Sequence, residues 1–450
     1  MDNQSVNLGK TQSVCPVCLQ RISAQKVKYG DKVYLEKTCP KHGFFKTLIW
    51  NGYPDYELWG LKRAEASPGP SLTQTDQGCP FDCGICPAHR RRTCCVLLEI
   101  SQRCNLRCPL CFASAGQSQE ADPSLEQIGA WFHTLMAQGG PFNIQLSGGE
   151  PTMRDDIPEI ISLGKEKGFS FFQLNTNGLR LARQQDYAKL LQEAGLNCVF
   201  LQFDGLRDET YVALRGRQLL AEKLLAIKNC AAAGLGMVLV PTLVPGVNVG
   251  EIGAIINFAL ENMPAVRGVH FQPVSYFGRY QEQAAERLTI PDVLRQIEQQ
   301  TMRRMKIEDF KPGTAENPYC SFNAIFFLQE NGILKSLHKQ ASCCCGSPAG
   351  KEEDVSAQAR EFVARQWSQS QSNENCGCVA KPDSLDAFLA RLSKYKLAVS
   401  GMAFQDVWNL DLDRLQDCYI HVISPDRRII PFCSYNLSSS CGQTLYRGRK

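Results

Sequence analysis

Between residues 96 and 272 short apolar runs alternate with longer segments of helical spacing, and this alternation limits the fold more than any other feature. The short runs predict strands over 96–100, 143–146, 169–174, 197–203, 237–243 and 269–272. Between them, helices are predicted over 125–138, 157–167, 186–194, 219–233 and 250–261. The first has apolar residues at Leu125, Ile128, Trp131, Phe132, Leu135 and Met136, with Ser124 placed as N-cap. Such an alternation implies an α/β fold whose parallel strands are joined by right-handed crossovers. Chemistry in such folds collects at the C-terminal ends of the strands.

The polar residues of this region fall at those ends. The first strand runs into Ser101-Gln-Arg-Cys104-Asn-Leu-Arg-Cys108-Pro-Leu-Cys111. The second ends at Gly148-Gly149-Glu150-Pro151, the third at Asn175-Thr176-Asn177-Gly178 and the fourth at Asp204-Gly205. Three thiolates on one loop fit a four-iron cluster that keeps one iron open to a small ligand. A structural zinc site fits less well, because zinc takes four ligands, usually from two knuckles. Gly148 and Gly149 would let backbone approach a ligand. Glu150 would accept from an ammonium group or shape the loop. Asn175, Asn177 and Asp204 either touch the same ligand or cap turns.

Further cysteines flank this core, and the chain carries 22 in all. The N-terminus shows no signal-peptide pattern and no apolar run reaches membrane-spanning length, which predicts a cytoplasmic protein. Clustered cysteines in a reducing compartment point to metal. The net charge of +4 is too small to argue for nucleic acid. Cys15-Pro-Val-Cys18 and Cys39-Pro-Lys-His42, on either side of a predicted hairpin, form a metal ribbon suited to zinc or a single iron. Its fourth ligand is His42 or a later cysteine. Cys79, Cys83 and Cys86 repeat the Cys-x3-Cys-x2-Cys spacing without a preceding strand. They predict an auxiliary cluster, closed by Cys94 in preference to Cys95. Cys320, Cys418 and Cys433 predict a further cluster, its fourth ligand drawn from Cys343, Cys344, Cys345, Cys376 or Cys378. Cys198 and Cys230 fall in apolar patterns and read as core. The expected divisions are a ribbon over 1–65, an auxiliary loop over 66–95, a catalytic region over 96–280 and a cysteine-rich α+β region over 281–450.

The cysteine loop followed by Gly148-Gly149-Glu150-Pro151 resembles the radical SAM superfamily, although Leu110 stands where that family usually has an aromatic residue. The resemblance implies a partial (β/α)6 TIM-like barrel over 96–280. It also implies a 4Fe–4S cluster that cleaves S-adenosylmethionine to a 5′-deoxyadenosyl radical, and an electron donor such as ferredoxin or flavodoxin. Gly148 to Pro151 would then meet the methionine amino group. The ribbon with Thr38-Cys-Pro-Lys-His-Gly43, the loop 78–86, and the tail pieces Asp417-Cys-Tyr-Ile-His421 and Ile430-Pro-Phe-Cys-Ser-Tyr-Asn436 resemble one branch, the tetraether lipid synthases, also described as pterin methyltransferases. That resemblance implies several 4Fe–4S clusters, a rubredoxin-like metal site, and carbon–carbon bond formation between lipid chains. An apolar lipid substrate would bring the protein to a membrane surface. The alternatives are methylation of a pterin and modification of a peptide.

Overall fold

The computed structural model describes residues 5–61, 68–116, 121–280, 287–313, 315–337, 355–368 and 384–448. Four antiparallel strands form the N-terminal ribbon in sequential order: β1 (Ser5–Val14), β2 (Arg21–Tyr29), β3 (Lys32–Cys39) and β4 (Gly43–Asn51). The turn between β2 and β3 at Gly30-Asp31 is the predicted hairpin.

The second sheet is built on β5 (Cys95–Ser101), β6 (Asn143–Gly148), β7 (Phe172–Thr176), β8 (Cys198–Gln202), β9 (Gly236–Val240), β10 (Thr242–Leu243) and β11 (Val266–Pro273). Each of these pairs is parallel, with Val96 opposite Ile144 and Val199 opposite Met237. Alternation along a strand sorts the side chains. Val96, Leu98 and Ile100 join a large core with Ile128, Trp131, Phe132 and Leu135 of the helix Leu125–Ala137. Cys95 and Leu97 point the other way, into a cavity. That helix begins at Ser124, whose side chain and Gln127 form a capping box.

Two details depart from the sequence reading. The predicted strand 237–243 is two strands, because Pro241 has no N–H to give the ladder. The apolar spacing of residues 288–305 predicts one amphipathic helix, and the helix observed there ends at Gln300. A larger departure concerns the chain's last third. β12 (Ser321–Leu328), β13 (Leu334–Ser336), β14 (Lys396–Met402), β15 (Ile420–Ile423) and β16 (Ile429–Pro431) do not form a sheet of their own. β14 pairs parallel to β11, and β15 pairs parallel to β5. The six-strand barrel sheet is thus extended at both edges, and β12 and β16 add antiparallel to those additions. The hairpin around Asn331-Gly332 lies between β12 and β13 as the sequence predicts. A helix at Val355–Trp367, not legible as one in the sequence, sets Val363 and Trp367 on the cavity wall.

The ribbon is fastened to the tail by polar contacts. Lys26 pairs with Asp411 at 2.8 Å, and the buried Lys37 donates to Ser13 Oγ at 3.0 Å and to the Val407 carbonyl at 2.8 Å. Trp59 Nε1 donates to the Pro318 carbonyl at 2.8 Å. Among the described residues no helix is long and apolar enough to cross a membrane.

Candidate functional site

The cysteine loop leaves β5 and is pinned from both sides. Gly149 N donates to the Ser101 carbonyl at 2.7 Å and Glu150 N to the Arg103 carbonyl at 2.8 Å. Cys111 and Arg279 exchange backbone hydrogen bonds of 2.8 and 2.9 Å, and Arg279 Nε donates to the Cys108 carbonyl at 2.8 Å. A Cβ on Gly148 would lie 2.2 Å from the Ser101 carbonyl oxygen, and one on Gly149 would lie 2.3 Å from that of Arg103. These glycines therefore admit the cysteine loop itself, where the sequence had suggested approach to a ligand.

Cys104, Cys108 and Cys111 are half-buried and line one cavity of about 320 Å³, a size that suits a small-molecule site. Burial pushes the Cys104 thiol up to about 12. Burial raises Cys108 too, opposed by the positive charge of Arg215. Coordination by a metal would overcome this, since a cluster takes thiolates. Three half-buried sulfurs around open space are the donor set an open-site iron–sulfur cluster needs.

Glu150 lines the same cavity, is almost fully buried, and accepts four hydrogen bonds from the protein. Oε1 accepts from Thr152 N at 3.0 Å, Thr152 Oγ1 at 2.6 Å and Thr176 Oγ1 at 2.7 Å; Oε2 accepts from Asn177 N at 2.7 Å. The carboxylate ties the ends of β6 and β7 together, the loop-shaping role. Pro151 follows it as the first residue of a 3-10 turn. Asn177 lines the cavity as well, and its side chain accepts from Leu179 N at 3.0 Å and donates to Asn105 at 2.8 Å. Asp204 is fully buried and does not line the cavity, contrary to a ligand-touching role. It grips Arg215 with two bonds of 2.8 and 2.7 Å, and Arg215 is the group that reaches the cavity beside Cys108.

Asn175 faces the cavity too, as one member of a belt that the sequence reading missed. Gln145, Gln173, Asn175, Gln202 and Gln272 line it from four neighbouring parts of the sheet. Gln173 Nε2 donates to Asn175 at 2.7 Å, and Asn175 Nδ2 donates to Gln145 at 3.3 Å. The buried Lys223 donates to Gln202 at 3.1 Å. Below the belt lie Phe171, Phe200, His270 and Trp367, with the Phe200 and Trp367 rings 4.6 Å apart. The signal was available: one glutamine interrupts each of four otherwise apolar strands, in Ile-Gln145-Leu, Phe-Gln173-Leu, Leu-Gln202-Phe and Phe-Gln272-Pro.

The other cysteines form three groups. Ligand atoms of Cys15, Cys18, Cys39 and His42 all lie within 4.8 Å of one another, which suits a single ion and selects His42 as the fourth donor. Burial works to raise the Cys39 thiol, yet hydrogen bonds from the Lys41 amide, His42 and Cys15 hold it down at about 6. Cys79, Cys83 and Cys86 line a small cleft with His89. Sequence reasoning chose Cys94 to complete that group; the structure instead sets Cys94 with Cys95 on the wall of the barrel cavity. Cys320, Cys418 and Cys433 come together across the tail. Burial raises all three thiols, Cys433 to about 12, and Arg414 Nε donates to Cys320 Sγ at 3.2 Å. The candidates Cys343, Cys344, Cys345, Cys376 and Cys378 lie outside the described residues. Cys198 and Cys230 are fully buried in apolar clusters.

Residues 98–259 match the radical SAM superfamily, and residues 7–51 match the HMPTM N-terminal zinc ribbon domain. The chain is 36% identical to 7,8-dihydro-6-hydroxymethylpterin dimethyltransferase of Methanocaldococcus jannaschii, over 95% of this chain and 93% of that protein. It is 32% identical to Fe-coproporphyrin III synthase of Methanosarcina barkeri over 48% of this chain and 52% of that one. Among solved structures, Streptococcus suis SuiB bound to precursor peptide SuiA matches 48% of this chain and 46% of its own, with a TM-score of 0.40 and 16% identity. The chain belongs to the radical SAM superfamily, enzymes of a 4Fe–4S cluster and S-adenosylmethionine, in the branch that contains the M. jannaschii relative.

Proposed function

We propose that this radical SAM enzyme methylates a carbon of a reduced pterin, or of a heterocycle with a pterin-like edge, bound in the barrel cavity. Cys104, Cys108 and Cys111 would hold the cluster, which with S-adenosylmethionine supplies a radical able to take hydrogen from an unreactive carbon. The chain's own task is to bind, orient and exclude water. Arg215, fixed by Asp204, places a positive charge beside the cysteine loop. Gly148 and Gly149 set the loop's position, and Glu150 and Asn177 fix the neighbouring strand ends. Cys79, Cys83 and Cys86, and separately Cys320, Cys418 and Cys433, would hold auxiliary clusters. Cys15, Cys18, Cys39 and His42 would hold the ribbon's ion. Electrons would come from an external reductant.

The observation that carries the substrate reading is the amide belt. A buried amide costs free energy unless it is paired, about 1–3 kcal/mol for each group left without a partner. Gln145 and Gln202 are already bonded at both ends of their amides, to Asn175, Cys95, Asp204 and Lys223, but an alkyl chain would offer nothing to Gln272 or to the side-chain oxygen of Gln173. A pterin edge alternates donors and acceptors, and its flat ring could stack near Phe200 and Trp367. The name of the M. jannaschii relative supports this reading over the joining of lipid chains.

The test is anaerobic turnover with reductant and S-adenosylmethionine, offering 7,8-dihydro-6-hydroxymethylpterin and phospholipid in parallel. The expected product is a pterin heavier by one or two methylene units, each methyl taken from a further S-adenosylmethionine that leaves as S-adenosylhomocysteine with electrons from the reductant, and 5′-deoxyadenosine formed alongside. A lipid product with the pterin untouched would refute the reading. Gln173→Leu should weaken pterin turnover and leave slow, substrate-independent cleavage of S-adenosylmethionine intact.

A further inference from the structure

The cleft lined by Cys79, Cys83 and Cys86 has a fourth polar wall, His89, which stands three residues after Cys86. A turn bond of 2.9 Å from His89 N to the Cys86 carbonyl fixes that offset. His89 is 6% exposed, and its Nε2 has no hydrogen-bond partner. The other side of the ring is engaged: it is hydrogen-bonded to the backbone of Cys418. The ring of His421 packs edge-on against it with centroids 5.1 Å apart. The next residue is clamped as well, with Arg90 N donating to the Gln416 carbonyl at 2.8 Å and Arg90 Nε to Asp417 at 2.9 Å. The imidazole therefore cannot turn to find another partner without breaking packed contacts.

This is the arrangement of a metal-bound histidine. One ring nitrogen donates to a backbone carbonyl, which fixes the tautomer and leaves the other lone pair free for a metal. An idle buried nitrogen is unfavourable, and a metal bond satisfies it. Three thiolates alone would leave one iron of a four-iron cluster without a protein ligand. Leu415, Gln416 and Pro431 also line the cleft, whose volume of about 10 Å³ is too small for a small molecule, against about 320 Å³ beside Cys104.

We infer that His89 Nε2 is the fourth ligand of an iron–sulfur cluster held by Cys79, Cys83 and Cys86. The inference rests on the reading of those three cysteines as cluster ligands. Replacing thiolate by imidazole removes one negative charge from the cluster's surroundings, and histidine ligation raises the potential of iron–sulfur centres. This cluster should therefore be easier to reduce than an all-cysteine one.

The experiment uses the full chain, grown with 15N-histidine, reconstituted anaerobically and examined by pulsed electron paramagnetic resonance after reduction. A hyperfine coupling from one histidine nitrogen is expected on an auxiliary-cluster signal. In His89→Cys that coupling should vanish, iron content should stay the same, and the midpoint potential should fall. In His89→Gly, added 15N-imidazole should restore a coupling. No coupling in the wild-type protein, or a coupling that survives in His89→Cys, overturns the inference. A triple Cys79, Cys83 and Cys86→Ala variant separates the two layers. If it loses about four irons while the wild type lacks the coupling, only the histidine assignment fails. If it loses no iron, the cluster reading fails and takes the histidine with it.

Discussion

Replacing Glu150 by glutamine would distinguish a loop tie from a ligand-binding acid. The two carboxylate oxygens accept four hydrogen bonds, two of them from backbone amides, Thr152 N and Asn177 N. The hydroxyls of Thr152 and Thr176 can rotate and accept from an amide nitrogen. The backbone N–H groups cannot. Either orientation of the glutamine thus leaves one buried N–H facing an NH₂ group. With the side chain only 1% exposed, water does not fill the gap. An unpaired buried donor costs about 1–3 kcal/mol, equivalent to roughly 5- to 150-fold faster amide exchange if the strand ends open locally. Hydrogen exchange read by mass spectrometry, on peptides covering residues 148–154 and 174–179 without S-adenosylmethionine, measures this directly. Unchanged exchange in Glu150→Gln, together with weakened S-adenosylmethionine binding, would refute the loop-tie argument and return Glu150 to the ligand's ammonium group.

Three further outcomes are expected. Gly149→Ala should push the cysteine loop off the Arg103 carbonyl and lower 5′-deoxyadenosine formation by about 100-fold with far-ultraviolet circular dichroism unchanged, since displacements near 1 Å have that effect on rate. Burial holds Lys223 down at about 8 against its ordinary 10.5, so between those values only the unfolded chain binds the proton. Stability should therefore rise with pH across that window by about 3 kcal/mol, and urea titrations should show the rise flattened in Lys223→Met. Cys39→Ser should release the ribbon's single ion, measured by elemental analysis, and leave the iron of the other groups in place.

The barrel was legible because its strands are buried on both faces and its helices on one, which leaves two different periods in the sequence. Cys104, Cys108 and Cys111 were legible because ligand spacing within one loop is local. The edge strands β14 and β15 were not, because a parallel partner far away in the chain leaves no mark in either segment. Asp204 shows a similar limit. An acid at a strand end reads as a ligand contact, and only the fold reveals that Arg215 occupies it. The four strand glutamines were readable and went unread, hidden by the apolar residues around them. His89 carried a signal too, a histidine three residues past Cys86, but its idle nitrogen becomes visible only when burial is known.

The pairing of β15 with β5 has a consequence for biosynthesis. Residues 420–423 are made long after residues 95–101, and they supply the strand that covers the open edge of β5. Until the ribosome releases the tail, that edge is bare and Cys320 stands without Cys418 and Cys433. The same holds for the cleft at Cys83, where the Ser434 hydroxyl lies 3.3 Å from the sulfur and Tyr446 hydroxyl accepts from Cys83 N at 2.8 Å. Any cluster proposed for those two groups would therefore reach its final surroundings only after these tail residues are made. The cysteine loop at 104–111 needs only residues up to Arg279 for the backbone bonds that pin it, so its surroundings form earlier in synthesis.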